Sequence, residues 1–392
     1  MLHHRVFIET KLAKRKAENA FRELKQQGVS TPCLVDFCSN DYLGFAKETA
    51  IHLRQGDMYP CYDVSTSPYY GATGSRLISG NHSITEETEH YLANFYHSET
   101  ALIFNAGYNA NVGLFQCLPQ RNDTVIYDEY IHASIRDGIK LSNAKNFAFE
   151  HNNLAALEQK LKHATGLIYV AVESIYSMDG DAAPLKEITE LCAKYNAALI
   201  VDEAHAVGIF GNGRGLVVEL GIENNVFARI VTFGKAFGGH GAAILGSNQL
   251  RDYLINFSRA FIYTTALPLS SIATIKNTHE FLLQNLSRIE QLKELIHYFK
   301  EKLSSLPSGW LGWASESAIQ CIIIKGNDEV KSIASKIQEK GFDVHPILSP
   351  TVPKGKERLR ICLHSFNTKE QIDVLVSLLN SSTAEKNHKG NL

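Results

Sequence analysis

From about residue 100 onward, short runs of consecutive apolar residues alternate with stretches of helical spacing. ALIF (101–104), TVIY (124–127), LIYVAV (167–172), ALIV (198–201), RIVTF (229–233) and AAIL (242–245) offer apolar side chains to both faces of a strand, so each must be covered on both sides. Runs of this kind separated by helices predict an α/β fold with a mostly parallel central sheet covered by helices. One helix is especially legible: Asp181 and Pro184 open it, and Leu185, Ile188, Leu191 and Cys192 face inward.

The flanks read differently. Leu12, Ala13, Ala17, Ala20, Phe21 and Leu24 fall near helical spacing among charges, predicting an amphipathic helix from about Val6 to Lys25 that Gly28 stops. LVDFCSNDYLGF (34–45) reads as a short strand and a turn. The stretch from Tyr59 to Gly80, rich in Tyr, Ser, Thr and Gly, reads as a long ordered loop or a site. Beyond about 275, long charged helices precede the strands IQCIII (319–324) and RLRICL (358–363) and a last helix near 369–380, which together predict a smaller α+β domain. The expected division is an N-terminal segment over 1–50, a large domain over 51–275, a C-terminal domain over 276–381 and a disordered polar tail over 382–392.

Charge narrows the function. The 39 basic and 41 acidic residues are mixed along the chain for a net charge of −2, without the basic footprint that nucleic acid requires. The seven cysteines lack C-x-x-C spacing and read as reduced core residues, so no metal site is expected. The N-terminal MLHHRVFIETKLAKRK is basic with no apolar h-region and no run of eighteen apolar residues occurs, so neither a signal peptide nor a membrane span is expected, and the chain reads as cytoplasmic.

ALIVDEAHAVG (198–208) contains Asp-Glu-Ala-His, the letters of a nucleic-acid motor. A motor also needs a G-x-x-x-x-G-K-[ST] loop to cradle phosphates. None is present: Gly234-Lys235 is followed by Ala236, and GNGRG (211–215) fails dinucleotide-loop spacing. What remains is Asp202 at the carboxyl end of a buried strand, where open α/β sheets bind ligands, with Glu203 and Ala204 as spacing. Lys235, thirty-three residues on, stands at another strand end among glycines. A lysine so placed can form a Schiff base, and a strand-end acid can hold a proton on a pyridine nitrogen.

Those residues sit in a series of blocks: CSNDYLG (38–44), GATGSRLISGNHSITEETEHYLA (71–93), DEYIHASIRDGI (128–139), ESIYSMDGDAAPL (173–185), VDEAHAVGIFGNGRG (201–215), TFGKAFGGHGAA (232–243) and YTTALP (263–268). In this order they resemble, over nearly the full chain, the α-oxoamine synthase family of fold-type I pyridoxal phosphate enzymes. The resemblance implies pyridoxal 5'-phosphate on Lys235, which also moves the proton, and Asp202 as partner of the pyridine nitrogen. It implies His132 stacked on the cofactor ring, and His205 and Ser177 bonded to the ring hydroxyl or the substrate carboxylate. Phosphate falls to Gly107 and Tyr108 at a helix start and to Thr232. Thr264 and Thr265 match residues given by a neighbouring subunit, which implies a homodimer with a shared active site. Arg360 would clamp the amino-acid carboxylate, Asn40 would contact substrate, and Arg22 is a candidate for a distal carboxylate.

The family condenses an amino acid with an acyl thioester, carried on CoA or a carrier protein, in most cases with loss of carbon dioxide. The blocks around Lys235, SMDGDAAPL and YTTALP favour the branch that joins L-alanine to a pimeloyl thioester in biotin synthesis. Glycine with an acetyl group, serine with a palmitoyl group and plain transamination stay open as alternatives. Arg76 and Leu77 stand where the alanine branch often has smaller or different residues.

Overall fold

The computed structural model describes residues 2–22, 24, 34–51, 71–304, 306, 310 and 315–389. They form two compact units, the smaller made of Met1–Asn40, Met178–Gly180 and Leu292–Leu392 and the larger of Asp41–Ser177 and Asp181–Gln291. The smaller unit opens with helix α1 (Leu2–Ala17) and strand β1 (Val35–Asp36). α1 stops well before Lys25 because Asn19 turns left-handed (φ 49°). Ala20 N–H then bonds Arg15 O at 2.9 Å and Asn19 N–H bonds Lys16 O at 3.0 Å, the double closure that an αL residue makes at a helix end. Gly28, Cys33 and Cys61 lie outside the described residues.

In the larger unit the chain runs α2 (Ser83–Phe95), β2 (Thr100–Phe104), α3 (Gly107–Cys117), β3 (Thr124–Asp128), α4 (Ala133–Leu141), β4 (Lys145–Phe149), α5 (Leu154–Lys162), β5 (Ile168–Glu173), α6 (Leu185–Lys194) and β6 (Ala197–Asp202). It continues through the short α7 (Leu216–Glu219), β7 (Ala228–Thr232), β8 (Ala242–Gly246), α8 (Asn248–Phe257), α9 (Arg259–Ile262) and α10 (Leu269–Gln284). The strands form one seven-stranded sheet in the order β2-β8-β7-β6-β5-β3-β4. All neighbours are parallel except β8, antiparallel to both β2 and β7. Each apolar run predicted from sequence is a strand here. β4 was not anticipated, because KNFAF is an exposed edge strand that buries only Phe149.

Alternation along the strands sorts the core onto two faces. Val125, Ala171, Ile200, Ile230 and Ile244 pack under α3 and α4 with Ala110, Leu114 and Ile135. Ile126, Val170, Val172, Leu199 and Val201 pack on the opposite side with Leu185, Ile188 and Cys192 of α6. In α6, Thr189 is buried while Leu191 is only partly covered, and Pro184 stands at the N-cap. Asp181 does not open that helix, since its carboxylate is committed to His151 Nε2 at 2.8 Å.

α11 (Ser287–Leu303) carries the chain into the smaller unit. There follow β9 (Ile319–Ile323), α12 (Asn327–Glu339), β10 (Phe342–Asp343), β11 (His345–Ile347), β12 (Arg358–Cys362) and α13 (Lys369–Lys389). β1 pairs in parallel with β10, and β11-β12-β9 is an antiparallel sheet. The units divide at 40/41 and 291/292 rather than at 50/51 and 275/276. α10 stays in the larger unit because Leu269, Ile272, Ile275, Phe281 and Leu282 are buried there. α13 continues past the expected end near 380 and takes in most of the tail read as disordered, since no glycine or proline intervenes before Gly390; residues 390–392 lie outside the described ones. Of the loop predicted over 59–80, residues 59–70 are likewise outside. In its described part Arg76 forks onto Glu89 at 2.7 and 3.1 Å, a buried structural pair. No described helix is long and apolar enough to cross a membrane.

Candidate active site

Four parallel strands of the larger unit end side by side, and the loops that leave them carry the candidate site residues. β6 ends in Asp202, whose Oδ2 accepts from Asn111 Nδ2 at 2.7 Å and whose Oδ1 accepts from the backbone of Ala204 at 2.9 Å. These two donors fix the orientation of the buried carboxylate. Asn111 projects from α3 and spends its second amide hydrogen on Ser134 Oγ, 3.0 Å away. Ser134 Oγ in turn lies 2.7 Å from His132 Nδ1, which also accepts from the Ser134 backbone at 3.2 Å. His132 Nδ1 is therefore an acceptor and the proton of the neutral ring sits on Nε2. His132 is itself exposed. Desolvation of the ring nitrogens pushes the imidazole below its usual range despite the Asp202 charge, and Lys235 acts in the same direction. His132 is thus a neutral, flat ring one hydrogen-bond chain away from Asp202.

β7 ends in Thr232, three residues before Lys235. The turn between them closes through Gly238 N–H to Lys235 O at 2.8 Å and Gly239 N–H to Phe233 O at 2.8 Å. Gly238 is left-handed (φ 60°), and a side chain there would run into the backbone of Phe45 and Ala46. Lys235 Nζ lies 3.0 Å from His205 Nε2, and His205 Nδ1 lies 2.8 Å from the Tyr42 hydroxyl. With an ammonium at Lys235, Nε2 accepts, Nδ1 carries the ring proton and the Tyr42 oxygen receives it. Tyr42 thereby fixes which His205 nitrogen faces the lysine.

The residues also fit a phosphorylated pyridine. Thr232 Oγ1 is buried without a hydrogen-bond partner among the described residues, an unmet polar atom beside the N-terminus of α3. That helix start comes close because residue 107 is glycine: a Cβ there would meet Thr232 Cγ2 at 2.7 Å. Its N-cap, Ala106, offers no side-chain cap, so first-turn amides are left for an anion. The Tyr108 ring is anchored outward by its hydroxyl on Asp137 Oδ2 at 2.7 Å. Ser177 follows β5, half-buried.

Asp202, Lys235, His205, His132, Thr232 and Gly107 are therefore brought together at one end of the sheet. Thr264 and Thr265 lie after α9; Asn105 Nδ2 donates to Thr265 O at 2.7 Å, and Thr264 lines a small cavity with Arg76 and Phe261. In the smaller unit, Arg360 on β12 donates to Asn40 Oδ1 at 3.0 Å and to Cys362 Sγ at 2.9 Å. Arg358, two residues earlier on β12, pairs with Asp179. Arg22 is exposed, off the end of α1, with Nη2 3.2 Å from Thr351 Oγ1.

Sequence reasoning missed several participants. Tyr42 and Asn111 carry no local signal, because their roles depend on partners 163 and 91 residues away. Glu203, read as spacing, is buried and paired: Oε2 accepts from Arg229 Nε at 2.7 Å, Oε1 accepts from Val217 N–H at 2.9 Å, and Arg229 also donates to the carbonyls of Tyr96 and Arg214. A buried His151 bridges Asp128 and Asp181 at 2.9 and 2.8 Å.

Comparison with known proteins gives this geometry a family. Residues 32–379 match the aminotransferase class I and II family. An 8-amino-7-oxononanoate synthase of Emericella nidulans is 39% identical over 367 residues, which cover 88% of each chain. Among solved structures, 8-amino-7-oxononanoate synthase of Francisella tularensis is 29% identical with a TM-score of 0.76, over 91% of this chain and 99% of that one. Serine palmitoyltransferase of Sphingomonas wittichii is 26% identical with a TM-score of 0.87, over 96% and 97%. The chain belongs to the aminotransferase class I and II family, in its α-oxoamine synthase branch of pyridoxal phosphate-dependent C-acyltransferases.

Proposed function

We propose that the chain joins L-alanine to a pimeloyl thioester, on CoA or a carrier protein, with loss of carbon dioxide, giving 8-amino-7-oxononanoate for biotin synthesis. The observation that carries the reading is the set Lys235–His205–Tyr42 beside Asp202–Asn111 at the strand ends, on a chain whose curated relatives at 33–39% identity bear that activity in their names. When bound, pyridoxal phosphate supplies an electron sink for a carbanion at the amino-acid α-carbon.

The chain's own residues do the rest. Lys235 holds the cofactor and takes and returns the α-proton at Nζ, with His205 Nε2 fixing its position. Asp202, its carboxylate oriented by Asn111 and Ala204, holds a proton on the pyridine nitrogen. His132 offers its exposed face to the ring. Thr232 Oγ1 and the amides of Gly107 and Tyr108 take the phosphate, while His205 and Ser177 serve the ring hydroxyl or the substrate carboxylate. Arg360, oriented by Asn40, is assigned to the amino-acid carboxylate, where a planar guanidinium fits two oxygens. Arg22 is assigned to the far carboxylate of the pimeloyl chain. Thr264 and Thr265 serve a second copy's site in a homodimer.

A serine–palmitoyl condensation is the second reading, favoured by the higher backbone similarity to serine palmitoyltransferase. Thiol release from pimeloyl, acetyl and palmitoyl thioesters, each with alanine, glycine and serine, separates the readings. Pimeloyl with alanine should release thiol fastest, and Lys235→Ala should slow it by roughly 10² or more. Preference for palmitoyl with serine would install the second reading, and a keto acid without thiol release would leave transamination.

A further inference from the structure

β5 and β6 are parallel neighbours, and each ends in an acid. Glu173 is the register partner of Asp202, so the two side chains leave the sheet on the same face, about 4.8 Å apart at the backbone. Both are buried, at 3% and 5% exposure. Two buried carboxylates on register-paired strand ends cannot both be charged without loss, and Glu173, with one oxygen left unmet, is the one that gives way. Asp202 has a side-chain and a backbone donor. Glu173 receives backbone N–H groups from His132 and Ser177, but its Oε1 has no hydrogen-bond partner among the described residues.

We propose that Glu173 is a positioning residue that carries a proton at neutral pH, leaving Asp202 the anion of the pair while its own carboxyl ties the His132 loop to the Ser177 loop. The two loops leave β3 and β5 and carry the ring and hydroxyl assigned to opposite parts of the cofactor site. One carboxyl reaching both backbones sets their spacing. Because it is neutral, it adds no second negative charge beside Asp202. The titratable groups facing it are Asp202 from β6, Lys235 from the turn after β7, His132 from the loop after β3 and Tyr176 from its own loop; His205 follows through Lys235. Burial first, then the Asp202 charge, push Glu173 up to about 8, with Lys235 opposing. The inference stands on the cofactor site alone, whichever amino acid and thioester the enzyme uses.

Glu173→Gln and Glu173→Ala test it, both read on the cofactor-free chain and on cofactor binding. A carboxyl that is neutral when folded and ionised when unfolded loses stabilising power as pH rises from the ordinary carboxylate range to about 8. The melting temperature of E173Q, relative to wild type, should therefore be higher at pH 9 than at pH 5; a purely structural defect would shift both equally. E173A should bind pyridoxal phosphate at least tenfold more weakly, and E173Q should recover most of that loss. A difference between E173Q and wild type that does not change with pH, or a loss of cofactor affinity in E173Q as large as in E173A, would overturn the proposal.

Discussion

Tyr42 acts on the lysine without touching it. Its hydroxyl at 2.8 Å from His205 Nδ1 holds the tautomer whose Nε2 faces Lys235 Nζ. Removing one partner of a buried hydrogen bond costs about 1–3 kcal/mol. Tyr42→Phe should therefore lower kcat by roughly ten- to a hundredfold, with KM for the amino acid little changed, as steady-state kinetics on the holoenzyme would show. An unaltered kcat would mean that His205 keeps its orientation by other means. At this scale, legibility from sequence followed chemistry that is local. Lys235 among glycines and Asp202 at the end of an apolar run could be read directly. Asn111 looked like an ordinary helical asparagine, and Glu203 like a spacer, because the groups that give them meaning come from distant strands and helices.

Strands and helices set how these side chains are aimed, and one junction does so with charge. His151, just after β4, sits between Asp128 at the end of β3 and Asp181 before α6, with Tyr130 stacked on its ring at 4.4 Å. Burial alone would lower its pKa, but the two carboxylates overcome this and raise it to about 10. The folded state then binds a proton that the unfolded state releases near its ordinary value. The resulting stability is complete below about pH 6.5 and is lost as pH climbs through about 10. His151→Gln should open a melting-temperature gap from wild type that is widest near pH 6 and narrows toward pH 10, measured by thermal denaturation. Elements with a continuous apolar run were evident in the sequence. β4 was not, because an exposed edge strand has no such run, and the end of α1 was not, because an asparagine rather than a glycine takes the left-handed turn.

For the whole molecule, the proposed sharing of Thr264 and Thr265 between copies has a direct consequence. If each site takes its lysine from one chain and its threonines from the other, two differently disabled chains can complement each other. Lys235→Ala mixed with the Thr264→Ala/Thr265→Ala double variant, after unfolding and refolding together, should regain about a quarter of wild-type activity, since half the dimers are mixed and each holds one intact site. Recovery of none would place the threonines in the same chain's site. The division into units was harder to read from the sequence than the fold class, since α10 resembles the charged helices after it and only its buried face assigns it to the larger unit.

The reversed strand β8 also dictates an order of events during synthesis. β2 is complete at Phe104, but among the strands of its sheet it pairs with β8 alone, and β8 ends at Gly246. A ribosome must add some 140 residues before β2 can find its place, and until then the free edges of both β2 and β7 are available to other nascent chains. The last strand to arrive is the one that seals the sheet, so a chain released early is left with an open, sticky margin next to the strand that leads to Lys235.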